Sequence, residues 1–229
     1  MNDDSAVDLV VKAVNEIDEA EFKAYRGGWP NEIGTALIDA VYSIRARYDS
    51  QVEGRGVRGR LEVMRSEHPS IRNDLVELAH LGESEIRAVM GHGKSAKRFK
   101  SACVIEAAKH IQVLGNGVRT ADDARAVGIW EVQNAYTSVT GLGAITGEYF
   151  CMLLGEPGVK ADRMVVRFVE DALNDSQGRV TSDRARRLVE SAFARTDVLA
   201  ENLTAFEHGI WRFQRAKSAE AARVRSGRR

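Results

Sequence analysis

Cysteine is scarce in this chain: two of 229 residues, Cys103 and Cys151, and both lie inside apolar periodic segments. Such thiols read as reduced and packed, which points to a cytoplasmic setting, and no Cys-x-x-Cys framework is present to hold a metal. Proline is as rare. Pro30, Pro69 and Pro157 each sit beside a Gly-rich or polar break. No apolar run approaches the roughly 18–20 residues of a membrane span. Net charge is lacking too, since 33 Lys and Arg balance 33 Asp and Glu. What the chain has is 44% hydrophobic residues, which excludes a disordered polymer and supplies one sizeable core or two small ones.

The zero sum hides charge blocks. The first 21 residues hold seven acids and one Lys, the opposite of a secretory signal's basic start. Arg212 to Arg229 carries a net +6, Arg87 to Lys109 a net +5, and Arg45 to Arg72 a net +3. Separate basic blocks can converge in a fold to track a polyanion while an acidic arm faces elsewhere. Charge alone favours the plainer reading of solvated faces and a basic tail.

Between the breaks the apolar period is close to 3.6. Ile33, Leu37, Ala40, Val41 and Ile44 form one face; Val104, Ala108 and Ile111 form a second. Met164, Val165, Phe168 and Ala172 make a third, and Leu188, Val189, Ala192 and Phe193 a fourth behind cap candidates at Thr181 to Asp183. Leu199, Leu203, Phe206 and Ile210 make a fifth. Strand alternation is not sustained anywhere, so the expected class is all-α. Gly54 to Arg60 alternates Gly with Arg, which suits either a phosphate backbone or a flexible surface loop.

The segment from Val132 to Val169 is the most informative. It reads as helix, a tight turn at Thr140-Gly141-Leu142-Gly143, a helix from Ala144 to Leu154, a loop, and Asp162 opening a further helix. Two glycines permit the sharp turn and leave no side chain between backbone and ligand. The turn's N–H groups and the following helix start form an anion site for one phosphate. A Gly-x-Gly by itself is weak evidence. The carboxylate at Asp162, nineteen residues beyond Gly143, adds to it.

This arrangement resembles the helix-hairpin-helix, endonuclease III-like superfamily of DNA glycosylases. The family hairpin reads roughly Leu-Pro-Gly-Val-Gly-x-x-Thr-Ala, followed by a Val-Asp pair that starts a helix. Here the hairpin is Val139-Thr140-Gly141-Leu142-Gly143-Ala144-Ile145-Thr146-Gly147 and the pair is Ala161-Asp162. Asn31 to Asp49 resembles the family's early helix, Gly91 to Glu106 its Gly-x-x-x-x-Lys-Ala helix start, and His208 to Arg215 a closing helix. The resemblance implies an all-α fold with two helical subdomains flanking a DNA-binding cleft. The chain then forms one glycosylase-like unit, 1–229, with one subdomain over about 31–135 and its hairpin over 132–155. Segments at about 1–30 and 160–215 form the second, and 216–229 a basic tail.

Two departures narrow the implied chemistry. Bifunctional relatives carry a Lys nucleophile just before the hairpin Thr, and here that position is Ile145, which cannot form a Schiff base. The four cysteines of the family's iron–sulfur cluster are also missing. A monofunctional glycosylase without metal or other cofactor is implied, acting as a monomer on double-stranded DNA in the cytoplasm or nucleoid, away from membranes. Asp162 would stabilise the positive charge developing on the sugar and orient the attacking water. Standing alone, Asp162 would read as an ordinary helix cap. Gly141, Leu142, Gly143, Ile145 and Thr146 would grip the strand, with Lys94, Lys97 and Arg98 at phosphates. Arg45, placed at the end of the early helix, would fill the gap left by the flipped base; a solvated helix-end cation is an equal alternative. Tyr42, Trp29 and Trp130 are candidates to stack on the extruded base, although aromatics at such spacing more often belong to the core. Trp211 and Phe213 read as packing residues. Expected substrates are alkylated, deaminated or oxidised bases, or a modified base marking phage DNA, which would make this a defence enzyme. A silent DNA-binding hairpin protein is the alternative.

Overall fold

A computed structural model describes residues 3–23, 25, 27–174 and 179–226. Twelve α-helices and one two-stranded hairpin are found among them. The chain divides into two units, Met1–Gly27 with Pro157–Arg229, and Gly28–Glu156.

The continuous unit is built around α3 (Ile33–Tyr42), all ten residues of which are buried. Its backbone is gripped early, because Gly34 and Thr35 donate their N–H groups to the Arg72 carbonyl. A Cβ on Gly34 would lie 2.0 Å from the Ile71 carbonyl oxygen, so only glycine fits that approach. Around α3 pack α4 (Gly56–Glu67), α5 (Leu75–Met90), α6 (Lys100–Gln112) and α9 (Ala144–Leu153). Asp74 starts α5 by accepting from the amides of Val76 and Glu77, the role expected of an N-cap aspartate. Helix α5 breaks at Gly82, whose φ is +79°. Two further helices, α7 (Ala121–Val127) and α8 (Ile129–Thr137), complete the unit. Strands β1 (Lys94–Ser95) and β2 (Arg98–Phe99) pair antiparallel across a turn at Ala96 and Lys97. Both turn residues have positive φ, 47° and 68°, which matches the twist that two-residue hairpins need.

The discontinuous unit contains α1 (Asp3–Val14), α2 (Glu19–Phe22), α10 (Arg163–Ala172), α11 (Ser182–Phe193) and α12 (Leu203–Ser226). Val7, Val10 and Val14 join Leu188, Val189 and Ala192 in its core. Phe206 sits between Phe22 and Phe193, with ring centroids 5.6 and 5.2 Å away. Thr181 caps α11, as its position in the sequence suggests.

The acidic start is not a free arm. Arg184 pairs with Asp3, and Arg195 with Asp4 and Asp8, so these acids tie α1 to α11. Arg212 pairs with Glu21 and Lys217 with Asp171, drawing two cations of the basic block into internal contacts. The stretch set apart as a tail, 216–229, continues α12 as far as Ser226; residues 227–229 lie outside the described residues. Three local expectations are corrected. Leu199 precedes α12 and is 72% exposed rather than part of its apolar face. Gly56 to Arg60 form the first turn of α4 rather than a loop. The early helix ends at Tyr42, so Arg45 lies three residues past it. No described helix is long and apolar enough to cross a membrane.

Candidate nucleic-acid interface

In the continuous unit, α8 and α9 cross closely at Gly147. A Cβ there would meet Thr137 Cγ2 at 2.7 Å, and just beside this crossing Tyr136 stacks on Phe150 with centroids 5.2 Å apart. The connection is fixed by buried Val139 and Leu142 and by the Leu142 amide donating to the Val139 carbonyl. Leu142 therefore anchors the turn from inside rather than facing a ligand. Gly141 turns the chain at φ +102°, a conformation side chains disfavour. Gly143 is exposed and precedes α9, while the Thr146 hydroxyl donates to its carbonyl at 2.9 Å. The Thr146 amide donates to the Gly143 carbonyl and the Gly143 amide to the Thr146 hydroxyl, which leaves the first-turn amides of Ala144 and Ile145 without an acceptor in the helix. With the dipole they favour an anion there. Ile145 is half-buried behind them.

The β1–β2 turn rests on this glycine turn. Ser95 Oγ donates to the Gly141 carbonyl at 2.7 Å, and Arg98 donates to the Thr140 carbonyl at 3.3 Å. Lys97 is exposed at the tip. Lys94 is exposed as well, its ammonium 4.8 Å from the centre of the Phe99 ring. Arg98 is not a free cation, because Glu106 pairs with it and is held below the usual carboxylate range by that bond. Nearby, Arg45 is exposed with φ +49°.

The proposed stacking aromatics are placed otherwise. Tyr42 is 4% exposed, donates to the Gly91 carbonyl and has its hydroxyl pushed up to about 12 by burial. Trp29 donates its indole N–H to Asp39 at 2.8 Å, and the Arg65 guanidinium lies 4.6 Å over its ring. Neither offers an open face to a base: Tyr42 is core, and Trp29 is half-buried under Arg65. Trp130, by contrast, is 68% exposed and not core.

Asp162 belongs to the discontinuous unit, at the head of α10. Its Oδ1 accepts from the amides of Met164 and Val165 at 2.7 and 3.4 Å. Its Oδ2 accepts the indole N–H of Trp211 at 3.1 Å. The residue is half-buried, so the carboxylate is oriented from two sides without being sealed. Trp211 lies between His208, stacked at 6.0 Å and 13°, and the Arg215 guanidinium at 5.0 Å. Tyr25 packs on His208 at 5.3 Å. Trp211 is thus a partner of the carboxylate, not mere packing. No local pattern announces this, as the two residues are 49 positions apart. Lys100 was also missed, read only as part of a basic block. Its register with Cys103, Val104, Ala107 and Ile111 on the buried face of α6 is the signal for it.

The profile of a domain of unknown function (DUF8548) matches residues 8–215. The chain belongs to the DUF8548 family. No curated protein and no solved structure matches it. The DUF8548 match spans the glycine turn, the basic hairpin and Asp162 alike.

Proposed function

We propose that the chain is a monofunctional DNA glycosylase of helix-hairpin-helix type. It flips a damaged or modified base out of double-stranded DNA and hydrolyses its N-glycosidic bond, leaving an abasic site. The base is alkylated, deaminated or oxidised, or a modified base marking phage DNA, which would make the chain a defence enzyme rather than one of housekeeping repair. The observation that carries this reading is the oriented, half-exposed carboxylate of Asp162, held by two backbone amides and an indole N–H.

The chemistry follows from the bond that breaks. A base inside a duplex is inaccessible, so the nucleotide must first leave the stack at a cost of a few kcal/mol. As the C1′–N bond lengthens, its electron pair departs with the base and positive charge grows on the sugar. A fixed carboxylate beside C1′ stabilises that charge most when it needs no reorganisation. Water then adds its oxygen to C1′; one of its protons stays on the new hydroxyl, and the other leaves toward Asp162 and ends on the base, which holds the electron pair of the broken bond. In this reading Gly141 and Gly143 let the strand approach the α9 amides, Lys94 and Lys97 meet phosphates, and Arg45 enters the vacated stack. Ile145, where a lyase has its amine, stops the reaction at the abasic site.

Genomic DNAs carrying alkylated, deaminated, oxidised or substituted bases, incubated with the chain, test this by abasic-site counting. Abasic sites on one such DNA, without strand breaks before alkali treatment, are expected. Salt-dependent binding with no abasic site on any of them makes the chain a non-catalytic DNA-binding protein instead. No salt-dependent binding removes both readings.

A further inference from the structure

Lys100 is 4% exposed, and its Nζ donates to the carbonyls of Tyr42 and Ile44 at 2.9 and 2.6 Å. These carbonyls are the last of α3 and of the turn that follows, the negative end of that helix. Burying an ammonium is costly, and among the described residues no carboxylate pairs with this one. A glycine turn after α3 would satisfy the carbonyls of Ala40 and Val41, one turn earlier, and leave those of Tyr42 and Ile44 to the lysine. What the lysine fixes is the loop after α3.

That loop is tied at its other end as well. Tyr48 donates its hydroxyl to Asp39 Oδ2 at 2.8 Å, and Asp39 is fully buried. The Arg47 and Tyr48 carbonyls accept from the amides of Val57 and Arg58. Between the ties stand Arg45, Ala46 and Arg47, all exposed. Arg45 holds the left-handed conformation that residues with a side chain seldom adopt. Among the described residues its guanidinium has no acid or carbonyl partner.

Lys100 also reaches the basic hairpin. Its own N–H donates to the Gly93 carbonyl at 2.9 Å, closing the base of β1–β2. A Cβ on Gly93 would lie 3.2 Å from Lys100 Cδ, so the lysine stem packs directly under that strand start. One residue thus joins the loop of Arg45 to the hairpin of Lys97.

We infer that Lys100 is a positioning residue: its two side-chain hydrogen bonds hold Arg45 in the left-handed conformation, and its backbone bond sets the Lys97 hairpin beside it, so that both cations meet one DNA duplex in fixed register. This rests on the DNA reading above, and extends it to the residue that pre-organises the grip.

Two readouts test it in the full chain. Trypsin cuts after Arg45 and Arg47 only if the loop opens. In Lys100→Met, cleavage at these two bonds relative to cuts in α12 is expected to rise about ten-fold or more, as two bonds of the loop are lost. Should Lys100→Met fail to fold, Lys100→Gln, whose shorter side chain cannot reach both carbonyls, is expected to expose the same two bonds. Unchanged cleavage in the folded variant overturns the inference.

The second readout is affinity for a duplex holding one tetrahydrofuran abasic-site analogue, in a double-mutant cycle. Arg45→Ala and Lys100→Met should each weaken binding, and the loss from Lys100→Met should vanish in the Arg45→Ala background. Additive losses show that Lys100 does not act through Arg45 and overturn it. If the unaltered chain binds no duplex, the DNA reading is what fails, and the proteolysis alone decides whether Lys100 fixes the loop.

Discussion

Trp211 donates its indole N–H to Oδ2 of Asp162 while Oδ1 of the same carboxylate caps α10. The two oxygens therefore have different duties, one structural and one held by a replaceable donor. Trp211→Phe keeps the ring between His208 and Arg215 but removes the donor. A hydrogen bond to a charged group is worth about 1.5–3 kcal/mol. Base release should fall roughly 10- to 100-fold with DNA affinity unchanged. A single-turnover assay checks this, and an unaltered rate would detach Trp211 from the carboxylate's role.

Two glycines of the turn separate folding from binding. A Cβ on Gly147 would meet Thr137 Cγ2 at 2.7 Å, whereas a Cβ on Gly143 would meet nothing within 4 Å. Gly147→Ala should destabilise the chain by about 1–3 kcal/mol through overpacking. Gly143→Ala should leave stability within about 0.5 kcal/mol, and should weaken DNA binding, because the new methyl stands where the strand approaches. Urea unfolding and DNA titration of both variants read out the contrast.

Lys97 stands exposed at a turn braced by Ser95 on Gly141. Affinity for duplex DNA should fall linearly with log salt, and Lys97→Ala should lower that slope by about one phosphate contact. Arg98→Ala should change the slope little, since Glu106 already neutralises Arg98. Equal slopes for Lys97→Ala and the unaltered chain would remove Lys97 from the interface.

Burial lowers the Lys100 ammonium from its ordinary 10.5 to about 8. Between these values the unfolded chain binds more protons than the folded one, so stability rises with pH across that window. Below about 8 both states are protonated and the contribution is flat. Melting of the unaltered chain and Lys100→Met from neutral pH to 10.5 should therefore show the difference moving in favour of lysine above pH 8. A difference constant with pH would mean the ammonium is not desolvated.

Much of the helical architecture can be read in the sequence, since apolar spacing and caps are local properties. The faces around Val104, Val165 and Leu188 lie in helices, as does that around Ile33 except for Ile44, and Thr181 caps where its residue type suggests. Charge was less legible. The acids of α1 read as a solvated face, yet Arg184 and Arg195 meet them from more than 170 residues away. The same distance problem, over 49 residues, hides Trp211 from Asp162. The resemblance puts Arg45 at the end of the early helix, and the apolar period runs on to Ile44, but the chain leaves the helix at Tyr42, whose carbonyl Lys100 takes. Periodicity reports which face is buried, not where a distant lysine ends a helix.

The central claim is that one carboxylate performs the hydrolysis. Asn is as good a helix cap as Asp, so Asp162→Asn should fold and bind DNA as before. On a DNA from which the unaltered chain releases bases, abasic sites per hour should drop to background in Asp162→Asn at equal binding. Release at the unaltered rate by this variant would contradict the account.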